Sequence, residues 1–252
     1  MDNRKNILLL LCFFFLALGC KKKECEEPIN QVYVYPVEAA KGKPTEVRIE
    51  MFKIPDPILH RLSTEALAKS CHDYPDFGLI WLYNSFQQGF DKLSSRCNGF
   101  DELWKRGDKF QALYSLYQQK NPDRGDWDSH TVLEDGNYIL DIISMELILS
   151  QYEVLHGLSV SEKIELFQLA LDNQKKKVDL IQYYGYPGMQ TTIAILGRMM
   201  YLDNYEPLVQ EYNNDGMMFL AVAYISILNY DVVNKIMSLS EDYLQNLKSK
   251  QK

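Results

Sequence analysis

Apolar and polar residues along this chain change their period twice. From Ile7 to Leu18 the run is uncharged and nearly all apolar. Between Val32 and Phe52 it alternates: Val32, Val34 and Val37 are separated by Tyr33, Tyr35 and Pro36, and Val47, Ile49 and Met51 by Arg48 and Glu50. A two-residue period marks a strand with one buried face, so a short β segment or hairpin is expected there. From Pro55 onward apolar positions recur every three or four residues, which predicts helix almost throughout.

Boundary signals divide the helical part. Asp56 followed by Pro57 reads as an N-cap and first turn. Ser63 caps a second helix, with Glu65 in its first turn. Pro75 opens a helix through Leu79, Ile80 and Leu82 toward Phe86, and others cover Phe100–Lys105 and Phe110–Gln119, the latter stopped by Asn121-Pro122. Tyr138–Leu155 is apolar nearly all round, which suits the centre of a bundle. Ser159 with Glu162 forms a capping box. The helix it starts puts Val160, Ile164, Phe167, Leu171 and Val178 on one side and Lys175, Lys176 and Lys177 on the other. Pro187-Gly188 is expected to break the chain before Thr192–Leu202, and Met217–Leu228 reads as a buried helix before a last one over Asp231–Leu247. The pairs Asn204-Tyr205 and Asn229-Tyr230 each follow an apolar helix and precede an amphipathic one, a weak internal repeat. The predicted fold class is all-α: an irregular multi-helix bundle or an α-solenoid-like stack of helix pairs, with room for a short β segment near the N-terminus.

The N-terminal run has its own reading. Arg4 and Lys5 precede it, Gly19 and Cys20 end it, and Lys21, Lys22 and Lys23 follow. A charged start, an apolar middle and a small residue before the cut make a secretory signal, and a transmembrane helix needs about 20 apolar residues. With cysteine at the first mature position it looks like a bacterial lipoprotein signal that lipidates Cys20. Ala17 stands where such signals usually carry Leu, Val or Ile, and Leu16 lies one residue further back. Each buried methylene adds roughly 0.8 kcal/mol of membrane affinity, and stable anchoring takes more than one acyl chain. The expected organisation is a signal over residues 1–19, a membrane tether and extended segment over 20–55, and a helical domain over 56–252. The membrane, reached through that lipid, is the first expected partner, and the outer membrane of a bacterial envelope the expected location.

Charge and cysteines narrow the chemistry. A formal charge of −7 argues against nucleic acid, which wants a basic face. Cys12 leaves with the signal and Cys20 takes the lipid, so Cys25, Cys71 and Cys97 remain and at most one internal bridge is available. Cys71 with Cys97 is the preferred disulfide, and two small buried thiols that never meet is the alternative. No CxxC spacing exists, so a structural zinc site has no support, and no cofactor is expected.

Catalytic signals are sparse. Cys71, His72 and Asp73 contain the residue types of a thiol protease, but adjacent side chains cannot converge into a triad. No GxSxG, HExxH or phosphate-binding glycine loop is present. The acidic stretch with Asp126, Asp128, His130, Glu134 and Asp135 lacks the glycine and glutamate an EF-hand requires, and reads as a solvated loop. Arg124-Gly125-Asp126 within it is an integrin-type triplet of a kind that arises by chance. Asp141 and Glu146 interrupt one apolar helix and Arg198 another. Buried charges need partners, so Arg198 is expected to pair with one of those carboxylates.

The segments Leu62-Ser63-Thr64-Glu65-Ala66-Leu67 through Cys71, Tyr74-Pro75, Tyr83-Asn84, Gly89-Phe90 and Asn98-Gly99-Phe100 resemble an uncharacterised family of Bacteroides-type exported proteins, over roughly residues 52 to 120. The resemblance implies an all-helical, envelope-facing protein and carries no functional residues. Together these features point to a lipid-anchored binding or scaffolding module for a protein, peptide or glycan. The alternatives are an envelope hydrolase using Cys71 or a buried carboxylate, and an inhibitor or immunity-type partner of a secreted enzyme. A binding module should display a contiguous apolar or aromatic patch, and an enzyme a pocket of converging polar groups.

Overall fold

The computed structural model describes residues 27–226 and 230–251. Four short helices come first: α1 (Val37–Ala40), α2 (Thr45–Met51), α3 (Asp56–Leu59) and α4 (Thr64–His72). A 3₁₀ segment, Phe77–Leu82, leads into α5 (Phe86–Ser94), α6 (Asn98–Leu103) and α7 (Lys109–Tyr117). Beyond a loop with one 3₁₀ turn lie α8 (Val132–Leu149), α9 (Tyr152–Leu155), α10 (Val160–Asp179) and α11 (Ile181–Leu202). The chain finishes with α12 (Glu206–Asn214), α13 (Gly216–Tyr224) and α14 (Tyr230–Lys250). The fold is all-α. Among the described residues there is no strand, and one isolated parallel bridge joins Ile29 to Leu62.

The β segment expected near the N-terminus is therefore corrected: residues 32–36 are irregular, and Val37–Ala40 and Thr45–Met51 are helical. Prolines 36 and 44 sit at the N-caps of α1 and α2, and Glu38 and Glu46 complement the dipole in each first turn. The alternation of Val47, Ile49 and Met51 buries no face, because no residue of α2 is buried. Nor do residues 33–54 serve as a tether. Tyr35, Phe52 and Ile54 belong to the main core, and the Tyr35, Phe52 and Tyr74 rings meet edge to face at 5.6–6.1 Å. The body starts well before residue 56.

Side-chain caps explain several of the helix starts. Ser63 accepts the Ala66 N–H, and Ser159 with Glu162 forms the complete capping box at α10. A second capping box, Thr131 with Glu134, starts α8 inside the stretch read as loop. The Pro75 helix is instead a 3₁₀ segment, and Ser85 caps α5 by accepting the Gln88 N–H.

Helix α11 is the axis, packed against α8, α10, α12, α13 and α14. Every residue from Gly188 to Met200 is buried. The break expected at Pro187-Gly188 falls two residues earlier, at Gly185 (φ 55°, ψ −173°), a conformation open to glycine alone. Pro187 then sits just inside the restarted helix, where its missing N–H costs nothing. Met217–Leu228 is not uniformly buried: Met218, Ala221 and Val222 face inward, Phe219 and Tyr224 outward, and residues 227–229 lie outside the described residues. Asn229 of the weak repeat lies there too.

Glycine brings two layers together where α5 meets the 3₁₀ segment. A Cβ on Gly89 would stand 2.7 Å from the Ile80 Cα and carbonyl oxygen. Backbone cannot swing aside as a side chain can. Gly89→Ala is expected to destabilise the fold by about 1–3 kcal/mol in urea denaturation; an unchanged midpoint would show that the layers separate freely.

Candidate functional site

Three clusters in the second half of the chain concentrate its polar and aromatic chemistry. The first is built on α11. Arg198 is fully buried, and its guanidinium donates to Val222 O (2.8 Å), Ser150 O (2.9 Å), Ala223 O (2.9 Å) and the Gln87 Oε1 (2.7 Å). Ser150 is the C-cap of α8, and Val222 and Ala223 are in the last turn of α13. The negative ends of two helix dipoles thus face the cation. Ile225, left-handed at φ 54° and fully buried, ends α13 at this point. The Tyr152 ring lies 4.9 Å from the guanidinium carbon. Burial lowers the Arg198 pKa from its ordinary value while Tyr152 and distant carboxylates oppose the shift. The expected pairing with Glu146 or Asp141 is corrected: among the described residues the partners of Arg198 are carbonyls and one amide. Helix ends reach it, and the carboxylates are engaged elsewhere.

Glu146 is also fully buried, and its partner is Lys177 of α10. The ammonium donates as well to Gly188 O (2.9 Å) and Thr192 Oγ1 (2.8 Å). The Thr191 and Thr192 hydroxyls donate to Glu146 Oε2 (2.6 and 2.9 Å), and the Tyr117 hydroxyl to Oε1 (2.9 Å). Every ammonium proton and both carboxylate oxygens are used. Burial lowers the Lys177 pKa and the Glu146 charge opposes that shift; burial, then the same charge, raises the Tyr117 phenol. Lys177 was expected on the outer face with Lys175 and Lys176, and it points inward instead. It lies seven residues beyond Ala170 and four beyond Asn173, both buried, a spacing legible in the sequence. Asp141 belongs to a separate, half-exposed group, paired with Lys120 at 2.6 Å and 3.5 Å from the His72 ring.

The remaining predicted residues disperse. Cys71 and Cys97 come together as buried free thiols. Cys71 and Glu146 are both sealed from solvent, so neither presents a reactive group to a substrate in this conformation. Asp135 pairs with Arg124, Glu134 is spent in the capping box, and no cluster of metal ligands exists among the described residues. Arg124, its carbon 4.9 Å from the Tyr138 ring centre, is packed rather than displayed. Cys20 lies outside the described residues.

The third cluster is a surface that sequence reasoning missed. Tyr201 and Tyr212 rings stand 4.5 Å apart, Tyr212 and Phe219 5.3 Å, and Phe219 and Tyr224 5.6 Å. Tyr152, Phe219 and Tyr224 are 39%, 38% and 39% exposed. Partial burial and the neighbouring Tyr201, Tyr152 and Tyr224 phenols raise the Tyr212 pKa. Tyr201, Tyr212, Phe219 and Tyr224, from α11, α12 and α13, form one chain of ring contacts, and Tyr152 of α9 lies on the Arg198 guanidinium. Comparison with protein-family models, with curated proteins and with solved structures finds no match to this chain.

Removing one member of the Glu146–Lys177 pair leaves an uncompensated buried charge. Lys177→Met and Glu146→Gln are each expected to cost about 3–5 kcal/mol in urea denaturation at pH 7, and the double variant Glu146→Gln/Lys177→Met less than the two costs together. Additive costs would mean that the two groups do not interact.

Proposed function

We propose that this protein is a lipid-anchored binding module of the bacterial cell envelope whose partner-facing surface is the strip of Tyr152, Tyr201, Tyr212, Phe219 and Tyr224. The strip is the observation that carries the reading. Half-exposed aromatic rings in mutual contact are unusual on a surface with nothing to bind. Tyrosine-rich patches on a rigid base have the composition of protein-interface hot spots, because large rings with few torsions lose little entropy on binding. Successive ring pairs here are tilted or edge to face rather than coplanar, which suits the uneven relief of a protein better than the flat face of a sugar. The envelope address rests on the signal pattern ending at Cys20 and on the family resemblance. No helix among the described residues is long and apolar enough to cross a membrane.

Two measurements test this. The soluble form, residues 26–252, is expected to retain a protein partner from envelope extracts. Phe219→Ser/Tyr224→Ser, altering exposed positions only, is expected to bind that partner at least about tenfold more weakly with an unchanged circular dichroism spectrum. Equal retention would move the binding surface elsewhere, and retention of no protein by either form would turn attention to glycans. Separately, Cys20→Ala is expected to abolish fatty-acid labelling and to move the full chain from the membrane to the soluble fraction; persistence in the membrane fraction would refute the anchor.

A further inference from the structure

Cys71 is on α4 and Cys97 immediately precedes α6, and neither side chain touches solvent. A Cβ built on Gly99 would lie 2.9 Å from the Cys71 sulfur and 3.4 Å from the Cys97 sulfur. Both sulfurs therefore press on one face of one glycine, close enough that each thiol shifts the titration of the other. The approach is held from both sides. Asn98 exchanges two hydrogen bonds with the Ile54 backbone (2.8 and 2.9 Å), fixing the start of α6, and the Tyr35 hydroxyl donates to Ser70 O (3.1 Å), beside Cys71.

We propose that Cys71 and Cys97 are an oxidisable dithiol that closes to a disulfide linking α4 to the start of α6. In closing, two S–H bonds are lost and one S–S bond forms. The two electrons and two protons pass to a disulfide oxidant, either a small-molecule disulfide or a dithiol–disulfide oxidoreductase, which leaves as two thiols. The surroundings of the two sulfurs differ. The neighbouring Cys71 thiol and the backbone at Gly99 and Phe100 lower the Cys97 pKa against the opposing effect of burial. Burial raises that of Cys71. One of the two thiolates attacks the oxidant, and the other then displaces the oxidant's second sulfur from it. Because both are enclosed, oxidation accompanies folding or an opening of α6. An oxidising envelope location rests on the function proposed above; the capacity to form the bond does not.

The soluble form, residues 26–252, contains these two cysteines and no others. Refolded in a mixture of reduced and oxidised glutathione, it is expected to lose about 2 Da by mass spectrometry. It should then accept no maleimide after denaturation and yield a linked peptide pair containing Cys71 and Cys97. Dithiothreitol should restore both labels and lower the urea midpoint. Two labelled thiols after oxidative refolding, or a stable glutathione adduct on either cysteine without the internal bond, would overturn the proposal. Recovering the bond in refolded protein, but two free thiols in protein taken from cells, would uphold the site and count against the envelope location.

Discussion

A buried guanidinium without a carboxylate is the constraint on which the second half of this structure depends. Arg198 is charged at any ordinary pH, and an unpaired charge in an apolar interior is prohibitive. Its charge is met by carbonyls at the ends of α8 and α13 and by the side-chain amide of Gln87 on α5. Each of those elements must stop, or turn, where the cation needs it. The end of α8 at Ser150 and the strained left-handed turn at Ile225 are the visible consequences. The cation thereby specifies how four elements meet, a task that apolar packing alone leaves less determined.

The Glu146–Lys177 pair has the same role nearer the start of α11, tying α8 and α10 to Thr191 and Thr192. It depends on the glycines of the kink. Gly185 redirects the chain, and a Cβ on Gly188 would stand 2.8 Å from the Cβ of Tyr184, so the close turn is open only to glycine. Complete hydrogen bonding is what makes such a pair tolerable, since desolvation otherwise cancels the attraction. The N-terminal half is held differently, by edge-to-face rings around Tyr35, Phe52 and Tyr74 and by the sulfur pair packed on Gly99.

This division has a functional reading. The aromatic strip sits over the better-specified half, with Tyr152 on the Arg198 hub itself. A recognition surface built on a fixed base loses little conformational freedom when a partner arrives. In the proposed function, the lipid positions the body at the membrane while the strip is presented by rigid helices.

The sequence alone was sufficient for the all-helical class, for the Ser63 and Ser159 caps and for the burial of Glu146 and Arg198, because periodicity, capping and the cost of charge are local or nearly so. Some of what was misread was also local: the Thr131–Glu134 capping box and the inward spacing of Lys177 are present in the sequence. The period-two run at Val47–Met51 misled because side-chain alternation says nothing of whether a second layer exists to cover it. Which carboxylate meets which cation, that Cys71 and Cys97 come together, and that rings from three helices join into one chain were decided only by the tertiary structure. Those are facts about residues far apart in the chain, and their distances are set by how whole helices cross, which no short stretch of sequence encodes.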